Sequence, residues 1–295
     1  MMKILGTLTM EYFTIENVTE ASVSQMCEFL KRHENYSLFL LSNFLSCGRS
    51  LTEEPNSGNF KLIKQFGKIA GVFCLTKRRN LLVQSEVGEP VFSLVLEACK
   101  KEPISIGGLL GDWDFCDPFW KFLKAKEVIQ KETFASKQIL YTLNTSLTFT
   151  PRYTNVRLLE EKDFDQWQPM ELAYIKEQGF PIDLTDEQMK TQFLSRVGQK
   201  TEWGMFTNEG KLVALAELNA KVFDVGQIGG VFTHPDFRGR GFAKSVLQHL
   251  LVDAKQIHKL RKLVLFTDVN NAPARKLYTS LQGDVVGHFA LLFGN

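Results

Sequence analysis

The stretch VFTHPDFRGRGFAKSVLQHLL, Val231–Leu251, restricts the fold more than any other part of the chain. An apolar run is ended by Pro235. Two glycines, Gly239 and Gly241, then permit a tight turn, and a one-faced helix follows with apolar residues at Ala243, Val246, Leu247, Leu250, Ala254 and Ile257. Next comes KLVLFTDVN, a continuous apolar run of the kind found in strands buried on both faces. Strand, turn, helix and buried strand in immediate succession place the region in the α/β class.

The elements around it extend the pattern. Arg157–Leu159 reads as a strand and Glu160–Glu177 as a helix, and Thr185 caps a second helix running to about Val197. TEWGMFT and KLVALAELNA are strands joined by the turn Asn208-Glu209-Gly210. NAPARKLYTSLQ is a helix with Pro273 in its first turn, and DVVGHFALLF is a closing strand. The order is β-α-α-β-β-β-α-β-α-β.

A weaker version of this order occupies the first half. Helices are expected at Ala21–Arg32, Tyr36–Leu45, Pro90–Lys100 and Asp117–Lys124. Strands are expected at NFKLIKQF, KIAGVFCLTK, LLVQS and PISIGG, with a hairpin over Glu127–Leu143. GGLLGDWDF, Gly107–Phe115, reads as a turn with a packed Trp113. The segment NTSLTFTPRYTN, rich in Thr, Ser and Asn, reads as a linker. We therefore expect a degenerate internal duplication, with lobes over residues 1–145 and 155–295.

A length of 295 residues suits two domains. A formal net charge of +2 and the lack of a basic stripe argue against nucleic acid as a partner. The start, MMKILGTLTMEYF, lacks the features of a signal peptide, and runs such as VFSLVL are too short to span a bilayer. All five cysteines lie in the first half without metal spacing. The expectation is a cytoplasmic protein without a metal or a membrane partner, acting as a monomer or homodimer, and the 24 Phe point to an aromatic-rich core.

The glycine turn is where chemistry is expected. Backbone N–H groups of the turn and of the following helix can converge on one anion, favoured by the helix dipole. Arg238, Arg240 and Lys244 can add charge. RGRG reads equally as a basic turn with solvated arginines. It is neither a dinucleotide fingerprint, since G-x-G-x-x-G is absent, nor a P-loop, since no Gly-Lys-Ser/Thr follows.

VFTHPDFRGRGFA resembles motif A of the GCN5-related N-acetyltransferases (GNATs), whose Arg/Gln-x-x-Gly-x-Gly/Ala core is filled by Arg238, Gly241 and Ala243. Downstream, Asn271, Ala274, Leu277, Tyr278 and Gly283 fit that family's N-x-x-A-x-x-L-Y-x-x-x-G pattern. The resemblance covers about Arg157 to the C-terminus. The first half looks like a decayed copy, as in two-lobed members of the glycine N-acyltransferase type.

The resemblance implies two tandem lobes, each a mixed, mostly antiparallel sheet flanked by helices, with a splayed strand pair at the acyl-CoA site of the second. It implies transfer of an acetyl or related short acyl group from acyl-CoA to a primary amine on a small molecule or peptide, by direct attack in a ternary complex. The co-substrate pyrophosphate would lie on the amides of Arg238, Gly239, Arg240, Gly241, Phe242, Ala243 and Lys244. The pantetheine arm would pair with Val231 and Thr233, and an amide near Val231–Phe232 would face the thioester oxygen. Asn271 would cap its helix or hold the CoA arm. Tyr278 would protonate the leaving thiolate or sit half in the core.

In family members with a glutamate base on the motif A strand, that base lies four residues before Val231. Here the position is Gln227, which cannot accept a proton. Glu217, an acid within apolar KLVALAELNA, is the substitute, brought opposite Gly230 by a hairpin turning near Val222–Asp224. Asp224, His234 and a water relay are the alternatives. The first lobe has no glycine turn, and Glu89-Pro90 precedes its corresponding helix, so pyrophosphate binding is not expected there. A non-catalytic acyl-CoA sensor is the competing function.

Overall fold

The computed structural model describes residues 12–179 and 184–295, and these divide into two compact units, the described residues up to 139 with 287–295 and those of 140–286. The chain's last residues, 287–295, fall in the first unit.

In the second unit β7 (Val156–Leu158) leads into α5 (Phe164–Gln178) and α6 (Asp186–Gly198), numbered in chain order along the whole sequence. Then come β8 (Glu202–Phe206), β9 (Leu212–Val222), β10 (Val225–Thr233), α7 (Phe242–Gln256), β11 (Lys262–Asp268) and α8 (Ala272–Ser280). The sheet order is β7-β8-β9-β10-β11, antiparallel up to β10 and parallel between β10 and β11. The Thr185 hydroxyl accepts the Gln188 N–H in a capping box, as the sequence indicates. Gly210 at φ +80 closes the β8–β9 turn, with its N–H donating to the Thr207 carbonyl. Trp167, Met170, Met189, Phe193, Leu215 and Phe232 form the core beneath α5 and α6. The buried stripe Val246, Leu247, Leu250, Leu251 and Ala254 packs α7 onto the sheet.

The first unit follows the same order: β1 (Phe13–Asn17), α1 (Val23–Arg32), α2 (Glu34–Cys47), β2 (Gly58–Gln65), β3 (Lys68–Thr76), β4 (Asn80–Ser85), α3 (Phe92–Lys100), β5 (Gly108–Asp112) and α4 (Trp113–Ala125). Its strands run β1-β2-β3-β4-β5, again with one parallel pair, β4–β5. Phe92, Phe115, Phe119 and Phe122 pack ring on ring at 5.0–6.0 Å, which accounts for part of the Phe content. The five cysteines are free thiols, and burial pushes the Cys74, Cys99 and Cys116 thiols up.

Several local expectations of the first half fail. The strand expected at PISIGG, Pro103–Gly108, instead begins where that stretch ends, at Gly108–Asp112, and Gly107–Phe115 is no turn. Asp112 accepts the Asp114 N–H and starts α4 at Trp113, ahead of the expected Asp117. Glu127–Leu143 is not a hairpin but one strand, β6 (Glu132–Asn144). Just before it, the Gln130 and Lys131 N–H groups donate to Asn295, after β12 (Asp284–Gly294). β12 also pairs antiparallel with β5, while β6 neighbours β11. The start MMKILGTLTMEYF lies almost wholly outside the described residues. Among those described, no helix is long and apolar enough to cross a membrane.

Candidate active site

β10 and β11 pair in parallel only from Val225↔Lys262 to Gln227↔Val264. Beyond that point β10 runs on to Thr233 and β11 to Asp268 without pairing, so the two strands diverge. Opposite β9, β10 bulges between Gly229 and Phe232, with Gly230 at φ +56, a left-handed conformation that glycine adopts without strain. The His234 N–H donates to the Val213 carbonyl. By strand alternation, Phe232 also turns its backbone to β9, and Val231 and Thr233 turn theirs toward the side β11 has left. The Phe232 side chain is buried in the core.

Past the strand, Pro235–Phe237 form one 3₁₀ turn and the glycines take over. Gly239 and Gly241 have φ +76 and +83, and nothing lies within 4 Å of where a Cβ would stand. Gly241 opens α7 in the left-handed region and no side chain caps the helix. The Ser245 N–H makes the first intrahelical bond, to the Gly241 carbonyl, so the N–H groups of Phe242, Ala243 and Lys244 have no intrahelical partner. The turn is a run of backbone amides at a helix start, the kind of arrangement that attracts an anion.

The basic residues divide their work. Arg238 is tied down: its Nε donates to the Thr233 carbonyl at 3.0 Å and its Nη2 to Glu177. The Arg240 guanidinium donates to the Asp236 carbonyl at 3.2 Å, and the Lys244 ammonium donates to the Ser280 carbonyl at the end of α8. Tyr153, from the segment read as a linker, donates its hydroxyl to the Arg240 carbonyl at 3.1 Å and packs edge-on against Phe242 at 4.9 Å. Part of that segment is therefore a wall of the turn.

Asn271 caps α8, accepting the Ala274 N–H at 3.2 Å. Tyr278 is buried and meets the Tyr141 ring at 5.5 Å, and burial pushes its hydroxyl well up, so it stays protonated. Two alternative bases are accounted for otherwise. Asp224 pairs with Arg261 at 2.7 Å beside the β9–β10 turn, and the His234 ring accepts the Asp236 N–H. Gln227 is 2% exposed and its amide nitrogen finds no hydrogen-bond partner among the described residues.

Glu217 lies against the bulge. It is the Cα partner of Gly229, and its Cγ would stand 3.1 Å from a Cβ on Gly230. It does not face solvent: the residue is 8% exposed and its Oε2 is 2.9 Å from Arg196 Nε. Burial outweighs the attraction of Arg196, and Glu171 adds repulsion, so the Glu217 carboxyl is pushed up to about 7. Tyr174 shares a hydrogen bond with the backbone of Gly230, and burial, then Glu217, Glu171 and Tyr278, raise its hydroxyl. Its ring meets Phe232 edge-on at 6.2 Å. Glu217, Tyr174 and the bulge thus share one place, with Tyr278 close enough to act on Tyr174 electrostatically.

Comparison with known proteins agrees with this geometry. Residues 163–283 match the model of the acetyltransferase (GNAT) family. This stretch of the second unit is a GNAT acetyltransferase domain. A Drosophila protein of solved structure is similar at 12% identity and TM-score 0.69, covering 95% of this chain and 98% of that one. A GCN5-related N-acetyltransferase from Sphaerobacter thermophilus is similar at 14% identity and TM-score 0.60, covering 95% and 94%. A tandem GNAT protein from the clavulanic acid biosynthesis pathway is similar at 9% identity and TM-score 0.50, covering 95% and 97%. These likenesses establish the two-lobed fold. Among curated proteins, no sequence match was found.

The GNAT fold of the first unit lacks the glycine turn. There α3 follows a 3₁₀ turn of Glu89, Pro90 and Val91, and Val91 and Phe92 are buried in the core of that unit. Tyr153, Glu171, Tyr174, Arg196 and Glu202 did not emerge from the motifs of the GNAT domain. One signal was available: the β8–β9 turn sets Glu202 directly opposite Glu217, and two facing acids in apolar strands call for a cation.

Proposed function

We propose that the second unit transfers an acetyl or related short acyl group from acyl-CoA to a primary amine, and that the acceptor attacks directly in a ternary complex. One observation carries this reading. The divergence of β10 from β11 opens onto the uncapped start of α7, and Glu217 of β9 lies against the bulge of β10. The amides of the Gly239–Lys244 turn hold the pyrophosphate, while Val231 and Thr233 offer backbone groups to the pantetheine arm. The Thr233 carbonyl also holds Arg238, which keeps the turn in register with the strand.

In the transfer, Glu217 takes a proton from the bound ammonium. The neutral amine attacks the thioester carbonyl carbon, and a backbone N–H at the bulge stabilises the oxygen. The carbon–sulfur bond breaks with its electron pair on sulfur. Tyr278 gives its proton to the thiolate and recovers one from the new amide nitrogen. The products are N-acyl amine, CoA thiol and protonated Glu217, which returns its proton to water.

A second reading, an acyl-CoA sensor without turnover, is favoured by the ion pair that engages Glu217. A thermal shift with acetyl-CoA tests the shared part. We expect stabilisation of about 2.7 kcal/mol at a hundred times Kd, and no shift in Gly241→Glu. No shift of the wild-type chain with any acyl-CoA rejects both readings. Amine-dependent CoA release separates the enzyme from the sensor.

A further inference from the structure

Four charged side chains meet inside the second unit, and the transfer step uses one of them. Glu171 on α5, Glu202 on β8 and Glu217 on β9 converge on the Arg196 guanidinium of α6, at 3.3, 3.2 and 2.9 Å. The Trp167 ring covers the guanidinium at 5.4 Å. The side chains of Glu171, Glu202 and Glu217 are 9%, 1% and 10% exposed. Strand register makes Glu202 and Glu217 cross-strand partners, a placement that like charges resist.

The charges do not cancel if every carboxyl ionises. Three carboxylates against one guanidinium leave two buried negative charges, too costly to hold out of water when a proton can neutralise one. Glu202 is the deepest of the three. Burial raises its carboxyl well above the usual range, with Glu217 as the next cause. Glu217 takes the shortest contact with Arg196 and touches the bulge. Burial lowers Arg196, but Glu217, Glu202 and Glu171 together raise it, so it remains a cation throughout.

We propose that Arg196 is a positioning residue that holds the Glu217 carboxylate at the Gly229–Gly230 bulge, and that Glu202 keeps a resident proton so that Glu217 alone exchanges one with the acceptor. This rests on the reading of Glu217 as the base. The groups facing Glu217 are Glu171 and Tyr174 from α5, Arg196 from α6, Glu202 from β8 and the Gly229–Gly230 backbone of β10. Arg196 thereby sets both the position and the basicity of a carboxylate that would otherwise stay protonated at neutral pH.

The test is an NMR titration of the full chain with isotope-labelled glutamate carboxyls, assigned by Glu217→Gln and Glu202→Gln. The Glu217 signal should titrate near neutrality, and the Glu202 signal should remain that of the acid wherever the chain is folded. Glu202→Gln should leave the Glu217 midpoint in place, because a neutral amide replaces a neutral acid. A fall of that midpoint by about one pH unit or more shows that Glu202 was ionised and overturns the proposal. Arg196→Gln should raise the midpoint by about one unit or more, with Arg196→Lys restoring part of it; an unmoved midpoint also overturns the proposal. If Arg196→Gln does not fold, the isosteric Glu202→Gln comparison decides alone. Catalysis is read separately, as CoA release from acetyl-CoA with a panel of primary amines. Titrations as expected with full release in Glu217→Gln would reject the base and leave the proton arrangement standing. An essential Glu217 with an ionised Glu202 would reject the arrangement and leave the base.

Discussion

Glu217 Oε2 lies 2.9 Å from Arg196 Nε while the same side chain rests against Gly230 at the bulge of β10. A carboxylate that is both held by a buried cation and pressed against the diverging strand is placed to receive a proton. Its raised carboxyl suits that task near neutral pH.

Removing that carboxylate should slow transfer without weakening acyl-CoA. Glu217→Gln is expected to lower kcat by about 10²–10⁴-fold, the usual share of a general base. The acetyl-CoA Kd, measured by calorimetry, should stay within about twofold of wild type, since only the acceptor's proton is at stake.

The same group makes stability depend on pH. The Glu217 carboxyl is raised in the folded chain to about 7 from an ordinary value of 4.5. Between those values the folded state binds more protons than the unfolded one, so this group's contribution falls as pH rises from 4.5 to about 7. Denaturant titrations of wild type and Glu217→Gln across that window should differ in slope, the variant losing less stability with rising pH. Transfer rate runs the other way, increasing through about 7 as Glu217 deprotonates.

Arg196→Ala should cost about 3–5 kcal/mol, because it leaves Glu171, Glu202 and Glu217 buried without their cation. Arg238→Ala should cost only about 0–1 kcal/mol, since its pair with Glu177 is half exposed. Chemical denaturation of the two variants measures the contrast. Arg238→Ala should instead loosen acetyl-CoA several-fold by freeing the turn from Thr233.

Tyr278→Phe keeps the ring that packs on Tyr141 and removes only the hydroxyl. The melting temperature should barely move. Transfer should slow by roughly tenfold, less than for the base, because a thiolate leaves readily without full protonation.

Much of this site is written in local pattern. The strand, the glycine turn and the one-faced helix at Val231–Leu251 form as the residues indicate, and Thr185 and Asn271 cap the helices they precede. What escaped reading depends on distant partners. Glu127–Leu143 reads as a hairpin because its apolar alternation seeks a neighbour, and nothing local reveals that the N–H groups just before β6 donate to Asn295. Glu217 was visible as an acid among apolar residues, yet the cation that holds it comes from α6, whose Arg196 looks like any exposed helical arginine. Arg238 looked available to an anion because its spacing carries no sign of Glu177, 61 residues earlier.

The most direct measurement is CoA thiol release from acetyl-CoA by the full chain, in the presence of a panel of primary amines. Release should depend on the amine, rise with pH through about 7 and fall by about 10²-fold or more in Glu217→Gln. Acetyl-CoA that stabilises the chain yet yields no amine-dependent release on any member of the panel would contradict the account.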